Sequence, residues 1–294
     1  MIKDYFILYN PTSGKGKSHK IINNLKIDLN KIGKKYDIEK TKYPNHAKNI
    51  CQNIKGYKNI IIIGGDGTFN ECINGLMCNK INIPNVGFLP GGTGNAFMHD
   101  IKAITYQKAI KLILDGNTKK IDVLKLQFSN NLEYAINIVG WGMAADINIL
   151  AEKLRFLGPS RYTIASIYYA LNKKSRKATL YINGEKHTDE YLFILNLNTI
   201  HTGKGMKAAP KALIDDGLID VIIIKSSITK FQLLKLLPKI FTGEHIHSNK
   251  VEYLQTKVIK IIPQINEILN IDGEMKCQTP IEISIIPKKI NIYC

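Results

Sequence analysis

Hydrophobic and polar positions follow two different patterns along the chain, and the change between them lies near residue 122. Before it, short apolar runs alternate with segments of helical spacing. The runs at 5–9, 59–63 and 85–89 are continuous and rich in large apolar residues, which is typical of strands buried on both faces. Such alternation predicts βαβ units around a parallel sheet. The segments of helical spacing are 17–29, 68–77 and 103–114.

Beyond residue 122, strand-like segments follow one another with little helix between them. Asn183-Gly184, which joins two of them, is a strong hairpin signal. We predict an antiparallel sandwich or barrel here, interrupted by helical insertions at 144–154 and 162–171. The strand-like segments are 134–139, 178–182, 191–196, 219–224, 258–262, 268–271 and 281–286.

Composition narrows the class of protein. Of the 294 residues, 45% are hydrophobic and 22% are charged, which supports a full core and argues against wholesale disorder. The five cysteines are scattered without a C-x-x-C pair, so neither a disulfide framework nor a zinc site is expected. No run approaches the roughly 18 apolar residues of a membrane span, and the first residues lack a signal sequence. We therefore expect a cytoplasmic protein, with any membrane contact peripheral and on the inner face.

The balance of charge favours anionic partners. Lysine and arginine number 41 and aspartate and glutamate 24, which gives a net charge of +17. A positive surface attracts nucleotides, acidic lipid head groups or nucleic acid. The sequence has no RNP, KH or helix-turn-helix signature, so nucleic acid is not an expected partner.

The segment 59–77 carries the clearest chemistry. A buried strand runs into Gly64-Gly65-Asp66-Gly67 and then into a helix. Glycines at such a turn let the backbone approach a bulky anion, and the helix N-terminus offers N–H groups to it. Asp66 is suited to hold Mg²⁺ or to accept a proton from an attacking hydroxyl. The alternative is a tight turn in which Thr68 and Glu71 form a capping box.

Two further loops have a composition suited to phosphate. Residues 90–95, Pro-Gly-Gly-Thr-Gly-Asn, follow the strand at 85–89, and residues 10–18 follow the first strand. Gly16-Lys17-Ser18 ends like a Walker A motif, but the motif needs glycine at position 11 and Pro11 is there. We therefore reject a Walker A motif and keep a strand–loop–helix rich in hydroxyls, amides and lysines. A solvated, lysine-rich loop is the alternative for residues 10–18, and a loop rich in turn residues is the alternative for residues 90–95.

Six motifs in order resemble the catalytic domain of the diacylglycerol kinase family, which includes bacterial lipid kinases, sphingosine kinases and ceramide kinases. The resemblance covers nearly the whole chain. The motifs are NPTSGKGK at 10–17, GGDGTFNE at 64–71, PGGTGN at 90–95, GWGMAAD at 140–146, AP at 209–210 with DDGLID at 215–220, and DGE at 272–274.

The resemblance implies a fold and an activity. The fold would be α/β plus β: a phosphofructokinase-like and NAD kinase-like α/β domain at 1–122, to which 287–294 return, and an antiparallel β-sandwich lipid-substrate domain at 123–286. The activity would be that of an ATP-dependent lipid kinase. It would transfer the γ-phosphate of ATP to the hydroxyl of diacylglycerol or a related lipid alcohol.

The family's site residues carry over by motif. Glu274 matches the position taken as general base, while Asp272-Gly273 is also a hairpin signal. Asp66 would organise metal and phosphate, or would itself be the base. Thr41 rests only on the pattern T-x-x-x-x-H-A at 41–47. The residues that would contact ATP are Asn10, Pro11, Thr12, Ser13, Gly14, Thr41, Gly64, Gly65, Asp66, Gly67, Thr68, Phe69, Asn70 and Thr93.

The segment 215–217 resembles the family's structural Mg²⁺ site. Asp216 would bind the ion through its side chain, and Leu213 and Leu218 would bind through backbone oxygens. Few protein ligands suffice, because Mg²⁺ keeps several waters. A plain turn before the next strand is the alternative. One position departs from the family: Ala96 follows Asn95 where an aspartate is common, and Asp100 is its nearest substitute.

The implied lipid substrate would be met at the membrane surface. Segments 231–241 and 162–171 are apolar with basic residues interleaved or flanking, as in helices that bind anionic interfaces. The alternative is that these helices only cover the sandwich. Two other functions stay open: an NAD kinase, which shares GGDG on a related fold, and a non-catalytic lipid- or nucleotide-binding protein. The assembly state is not specified, and a homodimer is one expectation.

Overall fold

The computed structural model describes residues 3–79, 83–203 and 205–294. The chain divides into two compact units. The first comprises Met1–Val123 with Pro287–Cys294, and the second comprises Leu124–Ile286.

A parallel sheet forms the centre of the first unit. Its strands lie in the order β2-β1-β3-β4, and the end of β17 (Ile281–Tyr293) pairs in parallel with β4 at Ile292 and Val86. The strands are β1 (Tyr5–Tyr9), β2 (Tyr36–Lys40), β3 (Asn59–Gly64) and β4 (Asn85–Pro90). The helices are α1 (Lys17–Lys31), α2 (His46–Asn53), α3 (Asp66–Cys78), α4 (Ala96–Asp100) and α5 (Tyr106–Asp115).

Apolar spacing explains these elements. Residues 60–63 of β3 are fully buried, as expected for a strand covered by helices on both faces. In α1 the buried apolar positions are Ile21, Ile22, Leu25 and Leu29, one stripe of a helix surface. Strand β2 was not predicted, because it lies at the sheet edge and its residues are half-buried rather than apolar and enclosed.

The second unit is mainly antiparallel. Its strands run in the order β16-β15-β7-β9-β8-β14-β17, and β12 joins β13 to β9. The strands are β5 (Thr118–Gln127), β6 (Leu132–Ala135), β7 (Ile138–Gly142), β8 (Arg176–Ile182), β9 (Glu185–Leu197), β10 (His201–Thr202), β11 (Met206–Lys207), β12 (Ile219–Lys225), β13 (Glu252–Thr256), β14 (Val258–Pro263), β15 (Ile268–Ile271) and β16 (Glu274–Gln278). The helices are α6 (Met143–Lys153), α7 (Arg161–Leu171), α8 (Lys230–Leu236) and α9 (Lys239–Thr242).

Besides a second cluster that includes Met143 of α6 and Leu233 of α8, a large apolar cluster lies among the strands of this unit. It draws inward-facing residues from β5, β7, β8, β9, β12, β14, β15 and β17, among them the fully buried Trp141. The predicted hairpin at Asn183-Gly184 is confirmed, since both residues have positive φ and β8 pairs antiparallel with β9. Alternate residues of each strand therefore face one core, as in packed antiparallel sheets.

Two predictions of elements were wrong. Segment 134–139 is not one strand, because β6 ends at Ala135 and β7 begins at Ile138. Segment 231–241 is not one helix, because α8 ends at Leu236 and α9 begins after Pro238, where a proline favours a helix start. Among the residues described, no helix has both the length and the apolarity needed to cross a membrane.

Candidate functional site

Three loops leave the same edge of the parallel sheet. The first loop (residues 10–16) follows β1, the second loop (64–67) ends β3, and the third loop (91–95) follows β4. The strands are parallel, so their carboxyl ends lie together. Strand order reverses between β1 and β3, since β2 lies on one side of β1 and β3 on the other. Such a switch point is where open α/β sheets bind ligands.

Hydrogen bonds join the first loop to the second. The Asn10 backbone N–H donates to Ile63 O at 3.0 Å, and Asn10 Nδ2 donates to Thr68 Oγ1 at 3.1 Å. Within the first loop, Asn10 Oδ1 accepts from the Thr12 backbone N–H at 3.0 Å and from Thr12 Oγ1 at 2.8 Å. Asn10 therefore fixes the first loop against the start of α3.

The third loop contacts both of the others. Gly64 O accepts from the N–H groups of Gly91 at 2.7 Å and Gly92 at 3.0 Å. A Cβ atom on Gly14 would lie 2.1 Å from Gly91 O, so the first loop touches the third only because no side chain intervenes. The three loops, which are far apart in the sequence, therefore meet at this edge of the sheet.

Helices that begin at these loops start without side-chain caps. Gly14, Lys15 and Gly16 all have positive φ, and this left-handed turn leads into α1, whose N-cap Gly16 offers no side chain. The N-cap of helix α3 is Gly65, and no side-chain cap bond forms there among the residues described. The first-turn N–H groups of two helices and their dipoles therefore remain suited to an anion.

By contrast, the starts of α5 and α2 in this unit are capped by side chains. Thr105 Oγ1 accepts from the Lys108 N–H at the start of α5. The Glu71 carboxylate accepts from the N–H groups of Asn45 at 3.0 Å and Ala47 at 3.2 Å at the start of α2. The alternative interpretation, a capping box of Thr68 and Glu71, is therefore wrong: α3 begins at Asp66, and Glu71 caps a different helix.

Asp66 opens α3 beside the third loop. A Cβ atom on Gly94 would lie 3.0 Å from Asp66 Oδ2, so glycine at 94 leaves room for the carboxylate. Ala96 is buried at the start of α4, and Asp100 lies at its other end. Four residues of helix separate them by about 6 Å. Positions i and i+4 share one helix face, so the substitution of Asp100 for the aspartate absent at position 96 stays a prediction.

The remaining predicted nucleotide contacts differ in exposure. Thr41 is buried after β2, and its N–H donates to Tyr9 O at 2.9 Å, next to Asn10. Phe69 is fully buried against Phe88, and Asn70 is fully buried beside Asn74. Thr93 is exposed at the tip of the third loop. The exposed members of the set lie at the loop tips, while Phe69 and Asn70 belong to the interior.

Ser18 was not predicted as a site residue. It lies in the first turn of α1 and is fully buried, and its Oγ has no hydrogen-bond partner among the described residues. A Cβ atom on Gly91 would lie 2.6 Å from Ser18 Oγ. Its small side chain thus lets α1 approach the third loop, a packing role that only the three-dimensional arrangement reveals.

In the second unit, Glu274 is the first residue of β16. The turn Asp272-Gly273 joins β15 to β16, and Ile271 pairs with Glu274. The hairpin signal in the sequence is thus confirmed. The Glu274 side chain is 43% exposed, and its carboxylate lies 3.9 Å from Lys276 Nζ. A half-exposed carboxylate at a rigid turn is suited to exchange a proton with a bound hydroxyl.

Asp216 occupies an exposed turn before β12. Its Oδ1 accepts from the Leu218 N–H at 2.9 Å, and the nearby Leu213 is exposed. Burial raises the pKa of Asp220 to about 6, against the opposing hydrogen bonds from Tyr253 and Gln255, and the charge of Asp216 raises it further. A cation at this turn would relieve that repulsion.

A magnesium ion therefore fits the turn in chemistry, through carboxylate and carbonyl oxygens with waters completing the shell. The described residues contain no cluster of three or more histidine, cysteine, aspartate or glutamate side chains that could hold a metal. A site built on one carboxylate and two carbonyls would not form such a cluster.

An open cavity of about 530 Å³ lies elsewhere in the first unit, between β2 and α2. Tyr43, His46 and Asn49 line it on the α2 side, and the rings of Tyr43 and His46 are 4.4 Å apart. None of the residues predicted to contact ATP is among its lining residues. The cavity is therefore separate from the three-loop site.

Comparison with known families matches both parts of the chain. The model described as Diacylglycerol kinase catalytic domain matches residues 4–126. The model described as YegS C-terminal NAD kinase beta sandwich-like domain matches residues 137–294. A diacylglycerol kinase of Staphylococcus saprophyticus is 30% identical over 296 residues, which cover 98% of this chain and 94% of the relative. The chain belongs to the diacylglycerol kinase family.

Another member of the diacylglycerol kinase family, from Staphylococcus aureus strain bovine RF122, is 30% identical over 98% of this chain and 91% of the relative. A solved structure of a Bacillus anthracis diacylglycerol kinase superposes with a TM-score of 0.78 over 99% of this chain and 96% of that chain, at 24% identity. An NAD kinase from Archaeoglobus fulgidus in complex with ATP has a TM-score of 0.53 over 99% of this chain and 93% of that chain, at 13% identity.

These likenesses confirm the predicted fold class, an NAD kinase-like α/β domain with a β-sandwich. Membership of the diacylglycerol kinase family also confirms that the chain is an enzyme of the lipid kinase class.

Proposed function

We propose that this protein transfers the γ-phosphate of ATP to the hydroxyl group of diacylglycerol or a related lipid alcohol. The observation that carries the proposal is the meeting of the three loops, where Gly64 O binds the N–H groups of Gly91 and Gly92 and Gly14 packs on Gly91. Two helices start there without side-chain caps. That arrangement supports a triphosphate site in a member of the diacylglycerol kinase family.

Each proposed residue has a distinct task. The first and second loops bind the phosphates through backbone N–H groups, and Thr41, Asn10 and Thr93 add side-chain contacts. The exposed Lys15 and Lys17 supply positive charge near the phosphates. Phe69 and Asn70 support α3 from within rather than touching the nucleotide.

Proton transfer is assigned to Glu274. As the lipid hydroxyl oxygen attacks the γ-phosphorus, the hydroxyl proton passes to the Glu274 carboxylate, and the bond to the bridging oxygen breaks to release ADP. Asp66 would hold a Mg²⁺ ion beside the phosphates in this scheme. Magnesium supplies neutralisation of the developing charge on the phosphate oxygens. A second, structural Mg²⁺ would be held by Asp216 with the backbone oxygens of Leu213 and Leu218.

The lipid is proposed to be met at an anionic membrane surface through the second unit. On α7 the side chains of Ile164, Ile167, Tyr168 and Leu171 are all between 42% and 51% exposed. Their spacing of i, i+3, i+4 and i+7 places them on one face, and that face lies in solvent rather than in the core.

Basic residues surround this apolar face. Helix α8 contacts α7 and exposes Phe231, and Lys235 Nζ lies 4.4 Å from the Phe231 ring. The segments 155–177 and 229–243 contain no aspartate or glutamate.

Arg161 and Arg176 near the ends of α7 are paired with carboxylates of Glu152, Asp146 and Glu267. The lysines of α8 and α9 therefore supply the positive charge that complements an anionic interface.

One assay tests the reaction. The full chain is incubated with radiolabelled ATP, Mg²⁺ and mixed micelles of diacylglycerol, monoacylglycerol, ceramide or sphingosine, with NAD as a parallel acceptor. We expect label in a lipid, with diacylglycerol best. Label in NAD alone would replace the proposal with the NAD kinase alternative. ATP binding without transfer to any lipid would favour the non-catalytic alternative and overturn the proposal.

A further inference from the structure

The carboxylate of Asp272 is bound by three backbone N–H groups from a distant part of the chain. Oδ2 accepts from Ile136 N at 3.0 Å, and Oδ1 accepts from Asn137 N at 3.0 Å and Ile138 N at 2.9 Å. Asp272 N donates in turn to Ile138 O at 2.9 Å. The side chain is 3% exposed, so water does not compete with these charge-assisted bonds.

The segment that binds Asp272 comprises residues 136 and 137, which separate β6 from β7, and Ile138, the first residue of β7. The N–H groups of all three residues donate to the carboxylate. The segment is held from its other side by Asn198, whose N–H donates to Asn137 O at 2.9 Å and whose Nδ2 donates to Ile136 O at 3.1 Å. Asp272 is therefore fixed to a support that is itself bonded into the sheet.

The turn that follows is fixed as well. Asp272 and Gly273 have φ of 49° and 90°, and the Gly273 N–H donates to Asn270 Oδ1 at 2.9 Å. Glu274 is the next residue and begins β16. The backbone from Asp272 to Glu274 is therefore held in a turn that is closed by hydrogen bonds at Asp272 and at Gly273.

We propose that Asp272 is a positioning residue for Glu274: its buried carboxylate holds the turn from which the general base projects. This inference rests on the proposed function, in which Glu274 accepts the proton of the lipid hydroxyl. Precise placement matters because displacement of a catalytic group by about 1 Å costs roughly 10²-fold in rate.

The test compares two turns of the same conformation. Asn183-Gly184, with φ of 51° and 90°, joins β8 to β9 and matches Asp272-Gly273. Asp272→Asn keeps the residue's tolerance of positive φ but places an NH₂ group against backbone N–H donors. Asn183→Asp makes the reverse exchange and keeps the oxygen that accepts from Thr256 Oγ1 at 2.7 Å.

We expect Asp272→Asn to lower kcat by roughly 10²-fold, with the KM for ATP unchanged and kcat counted per ATP-binding molecule. Asn183→Asp should leave kcat unchanged. In a Glu274→Gln background, Asp272→Asn should cause no further loss, because a positioning residue acts through the group it positions. If Asp272 had a purely structural role, Asp272→Asn would lower the melting temperature, and its effect on kcat would be the same with or without Glu274.

Each outcome decides one claim. Full kcat in Asp272→Asn, or an equal loss in the presence and absence of Glu274, overturns the positioning role while the kinase proposal stands. A wild-type chain that phosphorylates no lipid overturns the proposed function instead. If Asp272→Asn does not fold, Asn270→Ala removes the side-chain acceptor of the Gly273 N–H and loosens the same turn. An unchanged kcat in that variant would overturn the inference that a fixed turn positions Glu274.

Discussion

The carbonyl oxygen of Gly91 lies 2.1 Å from the position that a Cβ atom on Gly14 would occupy. The first and third loops therefore touch backbone to backbone, and any side chain at 14 must push them apart. Gly14 also has φ of 59°, so a side chain there is strained as well as crowded.

Gly14→Ala should abolish detectable ATP binding while leaving the chain folded. Its clash is with a carbonyl of the third loop, which cannot move without breaking the bonds from Gly91 and Gly92 to Gly64 O. The control is Gly33→Ala, because Gly33 has φ of 67° and nothing within 4 Å of its would-be Cβ. Gly33→Ala should lose about 1–2 kcal/mol of stability from left-handed backbone strain, and Gly14→Ala should lose more because its clash also displaces the third loop. Calorimetric titration with ATP should separate them, and equal affinity in both would argue against the loop contact as a nucleotide site.

Substitution should distinguish the proposed roles of Glu274 and Asp66. Glu274→Gln removes the proton acceptor and should lower kcat by roughly 10²- to 10⁴-fold with little change in ATP affinity. Asp66→Asn should lower kcat and also raise the Mg²⁺ concentration needed for half-maximal rate, because its proposed role is to hold the phosphate-bound ion. The control is Glu282→Gln, an exposed carboxylate on β17. A wild-type rate in Glu274→Gln would remove Glu274 as the base.

The sequence predicted the elements whose residue pattern within a short segment is enough to identify them. Continuous apolar runs indicated β1, β3 and β4, and Asn183-Gly184 indicated its hairpin, because burial and positive φ restrict residue choice at each position. Edge strand β2 has no such restriction. The function of Glu71 could not be found locally, since its spacing from Thr68 suggested one helix and its carboxylate caps another. The three partners of Asp272 lie more than 130 residues away, beyond any local pattern.

Removing apolar side chains from the exposed face of α7 should weaken membrane binding. Ile164→Ser with Ile167→Ser should lower binding to phosphatidylglycerol vesicles by about tenfold or more, because each large apolar side chain contributes about 1–2 kcal/mol when buried in an interface. Activity on a short-chain, water-soluble acceptor should not change. The control is Ile27→Ser, since Ile27 is 53% exposed on α1 of the first unit. Sedimentation with vesicles measures both, and an equal loss in the control would contradict a defined docking face.

Magnesium should stabilise the chain through Asp216. Asp216→Asn should abolish the rise in melting temperature that Mg²⁺ causes in the absence of nucleotide, because the ion loses its only proposed carboxylate ligand. Asp28→Asn is the control, a carboxylate of the first unit that accepts from Tyr106 OH. If Mg²⁺ still raised the melting temperature of Asp216→Asn, the turn would not be the magnesium site.

His245 should make the folded chain less stable in mild acid. Burial lowers the pKa of His245 below its usual 6.5, and Nε2 bonds Ala208 O at 2.9 Å, a bond that the neutral Nε2–H tautomer can donate. Below pH 6.5 the unfolded chain gains a proton at this residue that the folded chain does not. The contribution of His245 to the free energy of unfolding is therefore present above pH 6.5 and is lost as the pH falls, by at most about 1.4 kcal/mol per pH unit.

His245→Gln keeps a hydrogen-bond donor and cannot titrate, so the melting temperature of this variant should fall less steeply between pH 7.5 and 5. The control is His187→Gln, because His187 is exposed, and this variant should follow the wild type. Parallel slopes for wild type and His245→Gln would show that another group governs the acid sensitivity of the fold.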